Sequence, residues 1–218
     1  MDTENNQLTL CGVIESVPVL DHEVLGENFY HLDLRVPRLS GANDLLPVTV
    51  SERLMNSQVM PGVRITIHGQ LRSYNKPVGG TGRLVLTAFA QSLLPPDDDE
   101  NPNTIRLIGS ICKPPSFRTT PFGREIADLM LAVNRAFGKS DYIPCIAWGR
   151  TARYASGLRV GDRLEVQGRF QSRDYQKQMP DGTVLNRTAY EVSLSRLTSI
   201  KDIPLPIQPV MERENALQ

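Results

Sequence analysis

Apolar and polar residues alternate in short runs along this chain, with turn-forming residues between the runs. A period of two residues is typical of strands that bury one face. In the C-terminal half the pattern predicts five strands, near residues 104–112, 126–135, 142–149, 161–172 and 187–198. One helix-like segment, residues 151–158, follows the third strand, and Gly157 is predicted to end it.

The N-terminal half repeats this pattern. Residues 8–12 match residues 105–109 at a separation of 97, and residues 62–71 match residues 161–170 at a separation of 99. The first separation also pairs residues 32–38 with residues 129–135. An internal repeat of this length predicts two tandem copies of one fold.

A proline-rich acidic segment separates the two copies. It contains four consecutive acidic residues, a composition that cannot bury enough apolar surface to fold. The sequence therefore predicts an N-terminal domain over residues 1–94, a linker over 95–103, a C-terminal domain over 104–199 and a tail over 200–218.

Five strands with one helix after the third is the element order of the OB fold, a small Greek-key barrel. The predicted fold class is thus all-β, with two tandem five-stranded OB barrels that each carry at most one short helix. An unrelated small barrel or an SH3-like sheet is also compatible with the pattern alone.

Charge distinguishes the two halves, although the whole chain holds 24 basic and 24 acidic residues. Residues 1–100 hold 7 Lys or Arg and 13 Asp or Glu, whereas residues 101–199 hold 15 and 8. This asymmetry favours polyanion binding by the second copy. Ordinary surface charge is the alternative explanation.

No run approaches the roughly 18 apolar residues of a membrane-spanning helix, and the first residues do not resemble a secretory signal. The expected compartment is the cytoplasm. Cys11, Cys112 and Cys145 lie in apolar runs and are interpreted as small buried side chains in a reducing compartment.

The residues give little support to catalysis. The chain lacks a nucleophile elbow, a phosphate-binding glycine loop and a carboxylate cluster with metal-site spacing. Its histidines and cysteines have no metal-ligand spacing. We therefore expect a protein that is not an enzyme, with no cofactor and no metal.

Four aromatic residues of the second copy are candidates for base stacking: Phe137, Tyr142, Trp148 and Tyr175. On the third strand Tyr142, Pro144, Ile146 and Trp148 share one face, whereas Ile143, Cys145 and Ala147 share the other. The smaller set is predicted to be core. The larger set could form a stacking platform, because any aromatic ring can cover the flat face of a base. Packing in the barrel is the alternative for each ring.

Basic residues between and beside these rings would hold phosphates. The candidates are Arg118, Arg124, Arg135, Lys139, Arg150, Arg153, Arg169, Arg173 and Lys177. For any one of them a solvated surface charge is the alternative.

The first copy is an internal comparison for these sites. Ser40, Leu45 and Ser51 stand where the second copy has Phe137, Tyr142 and Trp148, and Tyr74 lies close to the position of Tyr175. Since the fold does not require the rings, we expect any binding by the first copy to be weaker.

Residues 105–197 resemble the OB domain of bacterial single-stranded DNA-binding proteins. The most specific parts are residues 131–135 (LAVNR), 141–150 (DYIPCIAWGR) and 166–175 (VQGRFQSRDY). The resemblance implies that rings at Phe137, Tyr142, Trp148 and Tyr175 stack on bases. Residues 8–93 resemble a diverged copy of the same fold.

The resemblance implies binding and protection of single-stranded DNA in replication, recombination or repair. Because family members commonly present four barrels per assembly, it also implies a homodimer. The C-terminus departs from the family, whose tails usually end in an acidic tip with a final Phe that recruits replication and repair proteins; this sequence ends at Gln218. A protein-docking OB module of a replication or primosome-like assembly and a single-stranded RNA binder are the alternatives.

Overall fold

The computed structural model describes residues 5–78, 81–96, 102–179 and 182–200. Within these ranges twelve β-strands and one α-helix form. The first half contains β1 (Asn6–Ile14), β2 (Val19–Val24), β3 (Glu27–Pro37), β4 (Asn43–Ser51), β5 (Arg64–Val78) and β6 (Thr81–Leu94). The second half contains β7 (Asn103–Ile111), β8 (Ser116–Thr119), β9 (Glu125–Asn134), β10 (Ser140–Trp148), α1 (Gly149–Ser156), β11 (Arg163–Gln178) and β12 (Val184–Ser199).

Each half closes into a five-stranded barrel with the strand order of the OB fold. In the first barrel β1 pairs with β3 and β5, β3 with β4, β4 in parallel with β6, and β6 with β5. The second barrel repeats this circuit with β7, β9, β10, β12 and β11. The all-β fold of two tandem OB barrels is therefore confirmed.

The predicted elements of the second half differ from the observed ones mainly at their ends. The β11–β12 hairpin is longer than predicted, because its ladder continues to Gln178 and Val184. Strand β8, four exposed residues paired with β9, was not predicted. Strand β7 begins at Asn103, one residue inside the segment assigned to the linker. Helix α1 spans eight residues, and none of the described helices is long and apolar enough to cross a membrane.

The two barrels share one continuous sheet because β1 pairs antiparallel with β7. Leu8 lies opposite its own repeat counterpart Ile105. This self-pairing of equivalent residues is the signature of an approximate two-fold axis between the barrels. The axis passes between Leu8 and Ile105.

The same symmetry appears in two buried asparagines beside that axis. Asn6 donates to the Leu71 carbonyl (2.8 Å) and accepts from the Leu71 N–H (2.9 Å). Asn103 makes the same pair of bonds with the backbone of Phe170, at 2.6 and 2.9 Å. Each side chain thus continues its barrel's backbone pairing where two strands diverge.

A buried aspartate of the first barrel accepts hydrogen bonds from the second barrel. The Asp44 side chain, on β4, accepts hydrogen bonds from the backbone N–H (2.7 Å) and hydroxyl (3.1 Å) of Ser172 on β11. It also forms a two-pronged ion pair with Arg38, whose guanidinium donates to the Ser172 carbonyl (2.7 Å). Burial of this charge is compensated by a complete set of partners.

Asp141, the repeat counterpart of Asp44, makes the reciprocal contact. It accepts from the backbone N–H of Ser73 (2.7 Å) and from Arg72 (3.2 Å), both on β5 of the first barrel. The Ser73 hydroxyl in turn accepts from the backbone N–H of Tyr142 (2.7 Å). The hairpin of each barrel is therefore fixed against the other barrel by one buried carboxylate.

The barrel interiors are aliphatic, with Phe170 the largest fully buried side chain. Cys11 and Cys145 are buried in strands, as predicted, and burial raises the pKa of the Cys145 thiol. Cys112 differs from the prediction because it is only half-buried, with its thiol donating to the Met130 carbonyl (3.3 Å). Its position just after β7 ends, at the rim of the barrel, explains this exposure.

We expect Gly168→Ala to be strongly destabilising. Gly168 lies at the β-bulge between β11 and β12, where an added Cβ would be 2.2 Å from the Ser193 carbonyl oxygen. Two stretches of backbone must separate to admit it, at a cost of about 3 kcal/mol. Gly157→Ala is the matched control, since its Cβ would meet its nearest neighbour at 3.6 Å. Equal urea midpoints for the two variants would contradict this expectation.

Candidate nucleic-acid interface

The outer face of the second barrel is defined by the pairing of β10 with β9 and β12. Ile143, Cys145 and Ala147 point inward and are buried, as the alternation predicted. Tyr142 and Trp148 point outward at the two ends of β10, six residues or about 20 Å apart.

Ile146 differs from its neighbours on this face because it is 2% exposed. It lies opposite Asp128 on β9 and Ser193 on β12, at the middle of the sheet. The prediction that Ile146 belongs to an open platform is therefore wrong. The exposed Tyr142 and Trp148 rings thus lie on either side of the buried Ile146 side chain.

All four predicted stacking residues present their rings to solvent. The exposed fractions are 93% for Phe137, 47% for Tyr142, 38% for Trp148 and 37% for Tyr175. Large aromatic side chains are normally well buried in a soluble domain, and exposed ones indicate a binding surface. Phe137 is thus almost unpacked, whereas Trp148 and Tyr175 are packed over more than half of their surface and expose the rest.

Trp148 is held in a fixed orientation on this face. Its indole Nε1 donates to the hydroxyl of Ser193 on β12 (3.1 Å). A cleft of about 690 Å³ opens beside the ring and is also lined by Arg124 and Arg153. Arg153 is paired with Glu125 at 2.5 Å, and Glu125 also lines the cleft. The Trp148 ring and the side chains of Arg124 and Arg153 thus line the same cleft.

Phe137 is displayed on a strained backbone. It follows β9 in a single 3₁₀ turn, Ala136–Gly138, and has φ 60° and ψ 34°. This left-handed conformation is costly for a bulky residue and marks positions where function opposes stability. At the matching tip of the first barrel, Ser40 stands at the Phe137 position without a positive φ, whereas Gly41 has one like its counterpart Gly138.

Phe137→Gly should therefore leave the protein as stable or make it more stable, while weakening its binding to single-stranded DNA. Glycine relieves a left-handed strain of about 1–3 kcal/mol, which offsets the entropy that it adds to the unfolded chain, and loss of a stacking ring costs about 1–3 kcal/mol of binding. Urea unfolding and titration with labelled oligo-dT measure the two effects. A loss of stability with unchanged affinity would show that the ring serves the fold.

Tyr175 lies within β11, opposite Arg187 on β12, three residues beyond the predicted end of that strand at residue 172. The Arg173 guanidinium lies 5.9 Å from the centre of its ring. Arg173 is itself paired with Glu191 at 3.3 Å, and this hydrogen-bonded pair raises the pKa of Arg173. The cation thus stays charged beside the ring.

The other basic candidates occupy three settings. Arg118 on β8 is paired with Asp128 (2.9 Å). It lies opposite Ile126 on β9, which in turn lies opposite Trp148 on β10. Arg169 on β11 donates to Gln171 (3.0 Å). Lys139 and Arg150 are exposed, the first beside the Phe137 tip and the second in the first turn of α1. The side chain of Lys177 lies outside the described part of the chain.

Arg135 is placed at the junction of the barrels. Its Nε is 3.4 Å from Asp141, which Arg72 of the first barrel also contacts. Because Asp141 is fully buried and fixes the junction, Arg135 serves that contact. It also lines a cleft of the first barrel together with Tyr74 and Phe89.

Sequence reasoning missed a second group of exposed aromatic residues near this face. Phe117 lies on β8, Phe122 occupies the β8–β9 turn, and Tyr154 lies on α1. The Pro-Phe-Gly sequence at residues 121–123 was the available signal, because Gly123 has the positive φ of a tight turn. Phe122 is 92% exposed, nearly as much as Phe137.

Comparison with known proteins gives a family match over the second barrel. Residues 102–200 match the family model described as the single-strand binding protein family. Single-stranded DNA-binding protein A of Bacillus subtilis is 39% identical over 83 residues, which cover 35% of this chain and 48% of that protein. Single-stranded DNA-binding protein 2 of Listeria innocua is 37% identical over 81 residues, covering 34% and 51%. The chain thus spans about half the length of these relatives.

Structural similarity extends over both barrels. The wild-type single-stranded DNA binding protein from Thermus aquaticus superposes with a TM-score of 0.73, covering 92% of this chain and 95% of that one at 24% identity. Its deletion mutant gives a TM-score of 0.72 at 23% identity. At this identity the likeness establishes the fold. Residues 102–200 are 99 of the 218 residues of the chain, so the match to the single-strand binding protein family covers the second barrel and not the first.

Proposed function

We propose that the second barrel binds single-stranded DNA with little regard to base sequence and catalyses no reaction. One observation carries this proposal: Phe137, Tyr142, Trp148 and Tyr175 expose their rings on one basic barrel. The relatives in Bacillus and Listeria, which are named for single-stranded DNA binding, support it.

Stacking would supply the sequence-tolerant part of the affinity. Every base has a flat face, so an aromatic ring can cover it without reading its hydrogen-bonding edge. Each stacked base contributes about 1–3 kcal/mol by alanine substitution. Because the Ser193 hydroxyl already fixes the Trp148 indole, little conformational entropy is lost when a base settles on that ring.

Phosphate contacts would supply the salt-dependent part. Arg124 and Arg153 flank Trp148, Arg173 lies beside Tyr175, and Lys139 follows Phe137. Each of these three rings thus has a cation within reach of the phosphate next to a stacked base. Each neutralised phosphate releases counterions, which gives a slope of about −0.7 in log affinity against log salt on single strands.

In the cell, we propose that this binding protects single strands during replication, recombination or repair. We further propose a homodimer, which would bring four barrels together. Light scattering at micromolar concentration tests the dimer, and a monomer would contradict it.

The binding proposal is tested by titrating labelled oligo-dT of about 15 nucleotides, near the upper site size of one OB barrel, over a range of salt concentrations. Four phosphate contacts predict a slope of about −3. A duplex of the same length should bind much more weakly, because its bases cannot stack on the rings.

Equal affinity for the duplex would contradict base stacking. Tighter binding of oligo-U than of oligo-dT would favour the RNA alternative. Absence of binding at low salt would favour a protein-docking module, for which the exposed Phe117 and Phe122 would be the contact residues.

A further inference from the structure

We infer that the first barrel carries a second stacking surface for the same single strand, built from rings on different strands than in the second barrel. The inference rests on the proposed function of the second barrel and names a site beyond it. It differs from the sequence comparison, which found serine or leucine at the three clearly aligned ring positions of the first barrel.

Strand register shows that the two barrels carry an aromatic residue on different strands of the same face. In the second barrel Trp148 on β10 rests against Ser193 on β12. Thr49 on β4 is the repeat counterpart of Ile146 on β10. Ile146 pairs with Ser193 on β12, and Thr49 pairs with Phe89 on β6, so Phe89 is the structural counterpart of Ser193. Ser51 holds the Trp148 position two residues after Thr49. The aromatic residue that β10 carries in the second barrel is thus replaced in the first barrel by one on β6, the strand next to β4.

Other rings extend this surface. Phe29 on β3 lies directly opposite Ser51, and its ring centre is 5.8 Å from that of Phe89. His22 on β2 stacks on Phe29 with centres 5.0 Å apart and planes 10° from parallel. On the other side the Arg72 guanidinium lies 5.9 Å from the Phe89 ring centre. Three rings and a cation therefore follow one another across the sheet.

A cleft of about 650 Å³ is lined by three of these groups, His22, Phe89 and Arg72, and by Tyr74 among others. That volume is within the range of small-molecule sites. Tyr74 is 44% exposed, comparable to Tyr142. Burial and the nearby Asp21 raise the pKa of Tyr74, so the phenol stays neutral and can stack beside phosphates.

A second cleft, of about 660 Å³, connects the two surfaces. The first barrel contributes Tyr74, Lys76 and Arg83 to it, and the second contributes Tyr175 and Arg187. Lys76 and Arg83 are exposed and lie directly opposite each other in the β5–β6 hairpin. A strand leaving Tyr175 would thus meet cations and then Tyr74, a path that favours one continuous nucleic acid over two separate ligands.

Charge predicts that this surface is the weaker of the two. Residues 5–96 hold seven basic and seven acidic side chains, and Asp21 and Asp33 line the connecting cleft. A long strand would therefore occupy the second barrel first and continue onto the first barrel. A short strand would occupy the second barrel alone.

The test compares oligo-dT of about 8 and about 30 nucleotides, one within and one beyond the site of a single barrel, on the full chain at low salt. The variant combines Phe89→Ala with Tyr74→Ala. Val17→Ala, an exposed apolar truncation in the same barrel that lines neither cleft, is the control. A second variant, Lys76→Gln with Arg83→Gln, leaves every buried side chain in place.

Both variants should lose about tenfold in affinity for the long strand and none for the short strand. The lysine–arginine variant should also lower the salt slope for the long strand by about 1.4, two phosphate contacts. Unchanged long-strand affinity in both variants, with short-strand quenching of Trp148 emission intact, would overturn this inference alone. Absence of that quenching in the unmodified chain would overturn the proposed function and this inference with it.

Discussion

Trp148→Ala should weaken binding to oligo-dT by about 5- to 150-fold and leave the protein folded. The range corresponds to the loss of about 1–3 kcal/mol of stacking. The barrel should tolerate the change because the indole lies on the outer face, with a hydroxyl as its hydrogen-bond partner. Fluorescence anisotropy of a labelled oligonucleotide measures the affinity, and circular dichroism measures the fold.

Two conservative variants separate stacking from packing at this position. Trp148→Phe keeps a ring and should retain most of the affinity. Ser193→Ala removes the hydroxyl that orients the indole and should cause a smaller loss than Trp148→Ala. Tyr175→Ala should behave like Trp148→Ala. Full affinity in both alanine variants would mean that the site is misplaced.

Asp141→Ala is expected to cause the largest loss of stability, about 3–5 kcal/mol. Removing the carboxylate leaves the Ser73 N–H without its acceptor and the cations of Arg72 and Arg135 without their shared anion. For a chain of this length the loss corresponds to a fall in Tm of about 6–20 °C. Calorimetry measures it.

Asp128→Ala is the matched control for this junction. Asp128 is also paired with an arginine, but its side chain is 41% exposed, so its ion pair contributes about 1 kcal/mol or less. Asp44→Ala should resemble Asp141→Ala, because Asp44 makes the reciprocal contact with Ser172. A small effect of both junction variants would mean that the two barrels do not depend on these carboxylates.

The sequence was sufficient to predict the barrels, because strand alternation and the internal repeat are local patterns. The inward set of β10, Ile143, Cys145 and Ala147, followed directly from a period of two. The outward positions of Tyr142 and Trp148 followed from the same period. Strand β8 escaped prediction because its four residues are all exposed and have no apolar alternation.

The junction could not be predicted because it depends on contacts between residues far apart in the chain. Asp44 and Ser172 are 128 residues apart, and Asp141 and Ser73 are 68 apart. Arg135 therefore looked like any other surface cation. Comparing aligned positions also hid Phe89, since its ring lies on a neighbouring strand and not at the position that matches Trp148.

The central claim is that unpaired bases settle on the exposed rings of the second barrel, and the fluorescence of Trp148 tests it most directly. Trp148 is the only tryptophan in the chain, so its emission reports this surface alone. We expect oligo-dT to quench the emission at low salt and added salt to restore it. Tight binding of oligo-dT that leaves the emission unchanged would contradict the claim.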